Sequence, residues 1–199
     1  MRSGSWRHRS GWRAAGNVVE RIAEIVVLAE DLRQGNLVRH YLVRCGHHRR
    51  NIVLRLAPRG RGSGEQFVRE RYPIGVAYYR QRSHARRAAL ATVLDADTGT
   101  VEEHERGLAA ALAAADQLPR EDGEMISVLI PRRHIETWIL CLSGEVVDET
   151  TDYKGDRRID GMIKPAAGRF YEWSHGGAAA PASCVPSLRK GLAEVRRLG

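Results

Sequence analysis

Residues 88–97 have the sequence Ala-Ala-Leu-Ala-Thr-Val-Leu-Asp-Ala-Asp, a short apolar run that ends in two aspartates. An uncharged run of this length is typical of a strand that is buried in a parallel sheet. We therefore predict a strand from Ala88 to Leu94. Asp95 would then stand at the C-terminal tip of the strand, with Asp97 just beyond it.

A similar arrangement lies closer to the start of the chain. Residues 25–29, Ile-Val-Val-Leu-Ala, form a mostly β-branched run that Glu30 and Asp31 follow directly. This run predicts another buried parallel strand. A second strand is predicted at 51–56, and apolar residues at helical spacing predict a helix at 34–43 between these two strands.

Capping signals mark where two further helices begin. Ser63 lies three residues before Gln66, which is the spacing of a capping box and predicts a helix from about Gly64 that Pro73 ends. Thr100 lies three residues before a glutamate and predicts a second such start. The predicted elements downstream are a helix at 101–118, a strand at 125–130 and a helix at 134–142.

This alternation of strands and helices predicts an α/β fold. We expect a Rossmann-like parallel sheet with helices on both faces, because strands that alternate with helices form parallel sheets. The predicted parts are a disordered basic arm at 1–17, the α/β domain at 18–144 and an extension at 145–199 that packs on the same domain. The extension is mostly polar and ends in a short helical appendage, predicted at 188–198.

The acidic residues at two predicted strand ends suggest a metal site. The carboxyl ends of parallel strands meet at one edge of a sheet, where ligands bind in open α/β folds. Glu30, Asp95 and Asp97 would therefore crowd together and repel one another unless a cation joins them. Carboxylate oxygens are ligands that suit Mg²⁺ or Mn²⁺, so we expect one of these ions as the cofactor.

Composition narrows the class of protein further. The formal net charge is +8, which suits a polyanionic partner such as nucleic acid, although the charge by itself favours a solvated arginine-rich surface. The three cysteines lie far apart without a C-x-x-C pair, as expected of a reduced, intracellular chain. Neither a secretory signal nor a membrane span is predicted, so we expect a cytoplasmic protein without a membrane partner.

The spacing of these acids resembles that of a known domain family. A strand that ends in Glu30, followed roughly 60 residues later by an apolar strand that ends in Asp95-Ala96-Asp97, resembles the Toprim domain over residues 22–142. The segment 130–138 is also similar to one found after the fourth strand of small stand-alone Toprim-like proteins. Where the family often has Gly after its glutamate, this chain has Asp31.

The resemblance implies a function and a set of partners. Toprim domains occur in topoisomerases, primases, ribosomal-RNA maturases and overcoming-lysogenisation-defect nucleases. By this resemblance the chain would be a Mg²⁺-dependent nuclease in which Asp95 and Asp97 bind the metal and Glu30 is a general base or a further ligand. The resemblance also implies DNA or RNA as substrate, and it leaves open a separately encoded ATPase partner, a role in anti-phage defence, a non-catalytic subunit and a homodimer.

A second family offers a rival interpretation of the same aspartates. The stretch 93–100, Val-Leu-Asp-Ala-Asp-Thr-Gly-Thr, resembles the motif of haloacid-dehalogenase-like phosphatases, in which the first aspartate attacks phosphorus. In this chain that nucleophile would be Asp95. The phosphatase motif usually lies on the first strand, whereas two strands are predicted before it here, and it gives Glu30 no role.

A few other residues are candidates for supporting roles. The glycine-rich loop at 60–64 would let Arg59 and Arg61 contact a nucleic-acid backbone, or it is simply a tight turn between a strand and a helix. Glu136 is a candidate for an additional metal ligand and His134 for an acid or base, with a helix-surface role as the alternative for both. Lys154 and Lys164, in the polar C-terminal segment, are two of many basic residues able to reach a phosphate.

Overall fold

A computed structural model describes residues 24–58, 60, 62–83 and 88–198 of the 199-residue chain. The predicted disordered arm at 1–17 lies outside these residues, as do the predicted backbone contacts Arg59 and Arg61. Within the described ranges, no helix is both long enough and apolar enough to cross a membrane.

The described residues contain four strands and six α-helices. The first eight of these elements alternate between strand and helix, beginning with a strand, and two more helices follow them. Their bounds are β1 Glu24–Ala29, α1 Leu32–Arg44, β2 Ile52–Leu56, α2 Gly64–Ser83, β3 Ala88–Val93, α3 Val101–Ala114, β4 Ile126–Leu129, α4 Ile135–Leu142, α5 Ile159–Ser174 and α6 Pro186–Val195.

The four strands form one parallel sheet in the order β2-β1-β3-β4. In the two central strands, Ala29 at the end of β1 pairs with Val93 at the end of β3. This register brings the residues that follow both strands to the same edge of the sheet. The predicted α/β fold with a parallel sheet is therefore confirmed, and each strand lies within a residue or two of its predicted position.

Separate apolar cores cover the two faces of the sheet. On one face, α1, α4, α5 and α6 pack around Tyr41, Trp138 and Phe170. On the other face, α2 and α3 pack around Tyr72, Val76 and a smaller set of aliphatic residues. Every residue of β3 is buried, as expected of a central strand covered on both faces.

The prediction that Pro73 ends the second helix is wrong. Helix α2 continues through Pro73 for ten more residues, to Ser83. A proline inside a helix costs roughly 3 kcal/mol because it removes a hydrogen bond and clashes with the preceding turn. Here Pro73 and its neighbour Tyr72 are buried, and the Pro73 carbonyl accepts a hydrogen bond from the side chain of Gln117 at 2.7 Å. Packing against the sheet therefore outweighs the local preference.

The C-terminal part contains a helix that the sequence did not predict. Helix α5 lies in the polar stretch before the predicted last helix, and it packs against α1 and α4. Gly161, Pro165 and Gly168 lower its helix propensity and hide its periodicity. The predicted last helix is present as α6, followed by a 3₁₀ turn at Arg196–Leu198.

The contact between α6 and α4 gives a test of the packing. A Cβ at Gly191 would overlap the ring of Trp138, which is fully buried and held by a hydrogen bond from its Nε1 to Ser187 Oγ at 2.7 Å. Gly191→Ala should therefore lower the free energy of unfolding by about 1–3 kcal/mol, because the ring has no room to move. Urea denaturation would measure the change.

Gly161→Ala is the matched control. A Cβ at Gly161 in α5 would meet nothing within 4 Å, so this substitution should be neutral or stabilise the helix by about 0.5–1 kcal/mol. Equal effects of the two substitutions on stability would contradict this account of the interface between α4 and α6.

Candidate active site

The backbone beyond β3 stays extended and carries the aspartates past the edge of the sheet. The N–H groups of Leu94 and Ala96 donate to the carbonyls of Leu129 and Pro131, at 3.2 and 2.8 Å. Because hydrogen-bonding groups alternate along a strand, the N–H of Asp95 points the other way, towards the end of β1. Asp95 is thus held between the two central strands.

Glu30 follows β1 directly, and its side chain takes the place of the next backbone acceptor that β1 would offer to β3. Its Oε1 accepts the N–H of Asp95 at 2.6 Å, while its own N–H donates to the side chain of Gln34 at 2.9 Å. Asp31, which stands where Toprim domains often have glycine, is the N-cap of α1 and accepts the N–H of Gln34 at 2.9 Å. The first residue after β1, Glu30, therefore contacts Asp95, and the second, Asp31, caps the start of α1.

The first residue of α2 packs directly on Glu30. A Cβ at Gly64 would come within 2.7 Å of both the Cβ and Oε2 of Glu30. Such contacts are closer than real Cβ atoms tolerate, so the close approach requires a glycine at this position. The predicted helix start at Gly64 is correct, and it confines the Glu30 carboxylate.

Asp97 lies at the open side of this edge. Its φ is +42°, a left-handed conformation that aspartate tolerates better than most residues, and its N–H donates to the carbonyl of Arg133 at 3.0 Å. Its half-exposed carboxylate accepts a hydrogen bond from Lys154 Nζ at 3.1 Å, and His134 Nδ1 lies 3.1 Å from the same oxygen. The structure therefore pairs Asp97 with basic side chains.

His134 and Glu136 belong to the buried wall of the site, where both are only 3% exposed. The His134 ring lies between Asp97 and Asp152, with its Nε2 3.6 Å from Asp152 Oδ1. Burial and the charge of Lys154 lower the pKa of His134, so the ring is mostly neutral at pH 7. Because both side chains are buried, neither lies on an exposed helix surface, which was the alternative prediction for them.

An arginine that the sequence did not single out holds Glu136. Arg33 donates to Glu136 Oε1 at 2.7 Å and to Asp160 Oδ1 at 2.8 Å, and so joins α1 to α4 and α5. Burial of a carboxylate is costly unless a cation pairs with it, and Arg33 is that cation. No sequence pattern marks Arg33, because its partners lie more than 100 residues away.

Burial and mutual repulsion raise the pKa values of two acids of the site. Burial, and then the charges of Glu30 and Glu136, raise the pKa of Asp95 well above its ordinary value. Burial also raises the pKa of Glu30 to about 7, although the hydrogen bond from Asp95 opposes this shift. The carboxylates therefore disfavour simultaneous ionisation, as expected of acids that share a small volume.

The unpaired donor atoms of the site are carboxylate oxygens, the type of ligand that Mg²⁺ prefers. Asp95 Oδ1 and Glu136 Oε2 are buried oxygens without a hydrogen-bond partner in the structure, and such atoms are rare unless something else satisfies them. Among the described residues, no three His, Cys, Asp or Glu side chains already surround one point as a formed metal site would. Shared coordination by Glu30, Asp95 and Asp97 stays a prediction.

Comparisons of the chain with protein-family models, with curated proteins and with solved structures found no match. The resemblance to Toprim domains therefore stays a prediction from the residues quoted above.

The raised pKa of Glu30 predicts how stability depends on pH. The pKa is about 7 in the folded chain against an ordinary value of 4.5, so between these values the folded state binds the extra proton. The contribution of Glu30 to the free energy of unfolding in chelator should therefore fall as pH rises from about 4.5 to 7, by up to about 1.4 kcal/mol per pH unit. Urea denaturation at several pH values would measure this slope.

The substitution Glu30→Gln should make that slope shallower, because the amide does not titrate. Glu102→Gln is the control, since Glu102 is an exposed glutamate of α3 with 69% of its side chain accessible. The difference in stability between the wild type and Glu30→Gln should fall as pH rises across this window, and a difference that is constant or rises would contradict the assignment.

Proposed function

We propose that this chain is a Mg²⁺-dependent nuclease of the Toprim type, which cleaves phosphodiester bonds in nucleic acid and accepts Mn²⁺ as a substitute ion. The observation that carries the proposal is the contact between Glu30 and Asp95 at the carboxyl edge of the sheet. It places the buried Asp95 beside the half-buried Glu30, with Asp97 two residues further along the chain from Asp95. Neither acid contributes to the apolar core, so their burial calls for a functional reason.

The residues divide into holders of the ion and holders of the substrate. Glu30, Asp95 and Asp97 would hold Mg²⁺ through their oxygens. When bound, such an ion stabilises negative charge on a phosphate and lowers the pKa of a coordinated water. Lys154, whose Nζ already lies at the Asp97 carboxylate, is placed to hold a phosphate oxygen through its positive charge.

The surrounding residues keep this arrangement in place. Arg33 fixes Glu136 behind Asp95, and Gly64 lets α2 approach Glu30 closely. His134 lies 3.1 Å from Asp97 and, being mostly neutral at pH 7, is able to accept a proton there. Precise positioning of this kind is what converts a group of acids into a catalyst.

The phosphatase alternative uses the same aspartate differently. It needs Asp95 as a nucleophile, and it gives no role to Glu30, which is in hydrogen-bond contact with the Asp95 backbone. The alternative of a subunit that works with a separately encoded ATPase, as in an anti-phage system, shares the metal site proposed here. It differs in that cleavage would require the partner.

Substitution of the aspartates tests the proposal. Asp95→Asn and Asp97→Asn should each reduce Mg²⁺-dependent cleavage of nucleic acid by at least 100-fold, because each removes a charged ligand while nearly keeping the shape. Asparagine also tolerates the positive φ of Asp97. A gel assay of labelled DNA and RNA, with and without chelator, would measure the loss.

Thermal unfolding with Mn²⁺ provides a second measurement that does not depend on activity. Mn²⁺ should raise the melting temperature of the wild type and not that of Asp95→Asn, because an ion that binds only the folded state stabilises it. Asp122→Asn, at a fully exposed aspartate bonded to Arg197, is the control and should behave as the wild type. Cleavage that persists in chelator would overturn the mechanism, and covalent phosphorylation of Asp95 would favour the phosphatase.

A further inference from the structure

A groove between α1 and α5 leads away from the candidate active site. The two helices start together, where Arg33 contacts Asp160, and they stay side by side as far as Arg44, which lies against Gly168. The rings of Tyr41 and Phe170, 5.1 Å apart, fill the space beneath. We call the surface channel above these rings the α1/α5 groove.

Two clefts lie along this groove. The cleft next to the active site has a volume of about 620 Å³. Its walls combine three acids, Glu30, Asp31 and Asp160, with Arg33, Asn36 and apolar side chains. The second cleft, of about 430 Å³, lies at the far end of α1. Its lining residues are His40, Val43, Arg44, Lys164, Pro165, Gly168, Arg169 and Glu172.

Two cations of the far cleft are free to meet a ligand. Arg44 and Lys164 are exposed and make no hydrogen bond or ion pair with any residue in the described parts of the chain. Half-buried arginines such as Arg80 and Arg120 are paired with glutamates. Several exposed arginines, among them Arg71 and Arg106, make no hydrogen bond or ion pair within the described residues, so it is the position of Arg44 and Lys164 in the groove that sets them apart. The acid in this cleft, Glu172, pairs with Arg169 and leaves the other charges uncompensated.

The local excess of positive charge also acts on a neighbouring histidine. Burial and then the charges of Arg39, Lys164 and Arg49 lower the pKa of His40 below its ordinary value. Among the described residues, no acid raises the pKa of His40 in opposition to these cations. A polyanion that lay in the groove would supply the missing negative charge.

We propose that the α1/α5 groove binds the sugar–phosphate backbone of a single nucleic-acid strand and leads it to the active site. This inference rests on the proposed nuclease function, which requires a phosphodiester at the inner end of the groove. Arg44 and Lys164 contact phosphates at the far end. At the near end, where acids outnumber the single cation Arg33, the cleft receives the uncharged base of one unpaired nucleotide against Asn36 and the apolar side chains.

The dimensions of the groove favour one strand over a duplex. Packed helices have axes about 8–10 Å apart, so the furrow between two of them is narrow. The thirteen residues of α1 span about 20 Å at 1.5 Å per residue, which is a length of a few nucleotides. Proteins that bind single strands commonly combine a basic track of this kind with pockets for individual bases.

The test is a binding measurement in chelator, where cleavage does not interfere. Fluorescence anisotropy would follow a labelled single strand of about twelve nucleotides. The variant Arg44→Glu/Lys164→Glu should bind it at least about tenfold more weakly than the wild type. The slope of log affinity against log salt should also become shallower by about 1.4, which corresponds to two lost phosphate contacts on a single strand.

A variant on the opposite face of the sheet controls for net charge. Arg71→Glu/Arg106→Glu alters two exposed arginines of α2 and α3, changes the net charge by the same amount and should keep near wild-type affinity. The milder Arg44→Gln/Lys164→Gln should fall between the wild type and the reversed variant. Circular dichroism would verify that each variant is folded.

Several outcomes would overturn the groove proposal. These are equal losses in the two charge-reversed variants, equally tight and equally groove-dependent binding of a duplex, and equally effective competition by polyglutamate. Asp95→Asn/Asp97→Asn should bind the strand as well as the wild type. Loss of cleavage therefore reports on the proposed nuclease, whereas loss of binding by the Arg44/Lys164 variants reports on the groove.

Discussion

The hydrogen bond from the Asp95 backbone to the Glu30 carboxylate is the contact on which the site depends. It forms where the two central strands have ended, and it replaces the next hydrogen bond of the sheet by one to a side chain. A carboxylate in this position stabilises the tip of β3. The same contact places the Glu30 carboxylate beside Asp95, and burial makes the proximity of these two acids electrostatically unfavourable.

Positive charge from the C-terminal part of the chain offsets this repulsion. Lys154 approaches Asp97 from the segment before α5, and Asp160 at the start of α5 orients Arg33 towards Glu136. Asp152 of the same segment lies beside His134. The sheet therefore supplies the acids, and the residues after 144 supply much of what surrounds them. The extension contributes directly to the site as well as to the apolar core.

What the sequence predicts depends on how local the underlying physics is. The parallel strands, the capping box at Thr100 and the acids at the strand ends were all predictable, because each depends on neighbouring residues. Packing overrides the local signal at Pro73, so the predicted helix end there is wrong. The role of Arg33 was not predictable, because it follows from contacts between segments far apart in sequence. For the same reason the sequence named Lys154 only as one of many basic residues and did not predict its contact with Asp97.

Helix α5, which the sequence did not predict, forms one wall of the α1/α5 groove. Pro165 and Gly168, which weaken its helical pattern, are residues that line the far cleft. A glycine at 168 leaves Arg44 as its near neighbour across the groove, where a larger side chain would fill the channel. Burial of Phe170 and Trp173 against α1 and α4 compensates for the low propensity of this helix. The same small residues therefore weaken the sequence signal and keep the groove open.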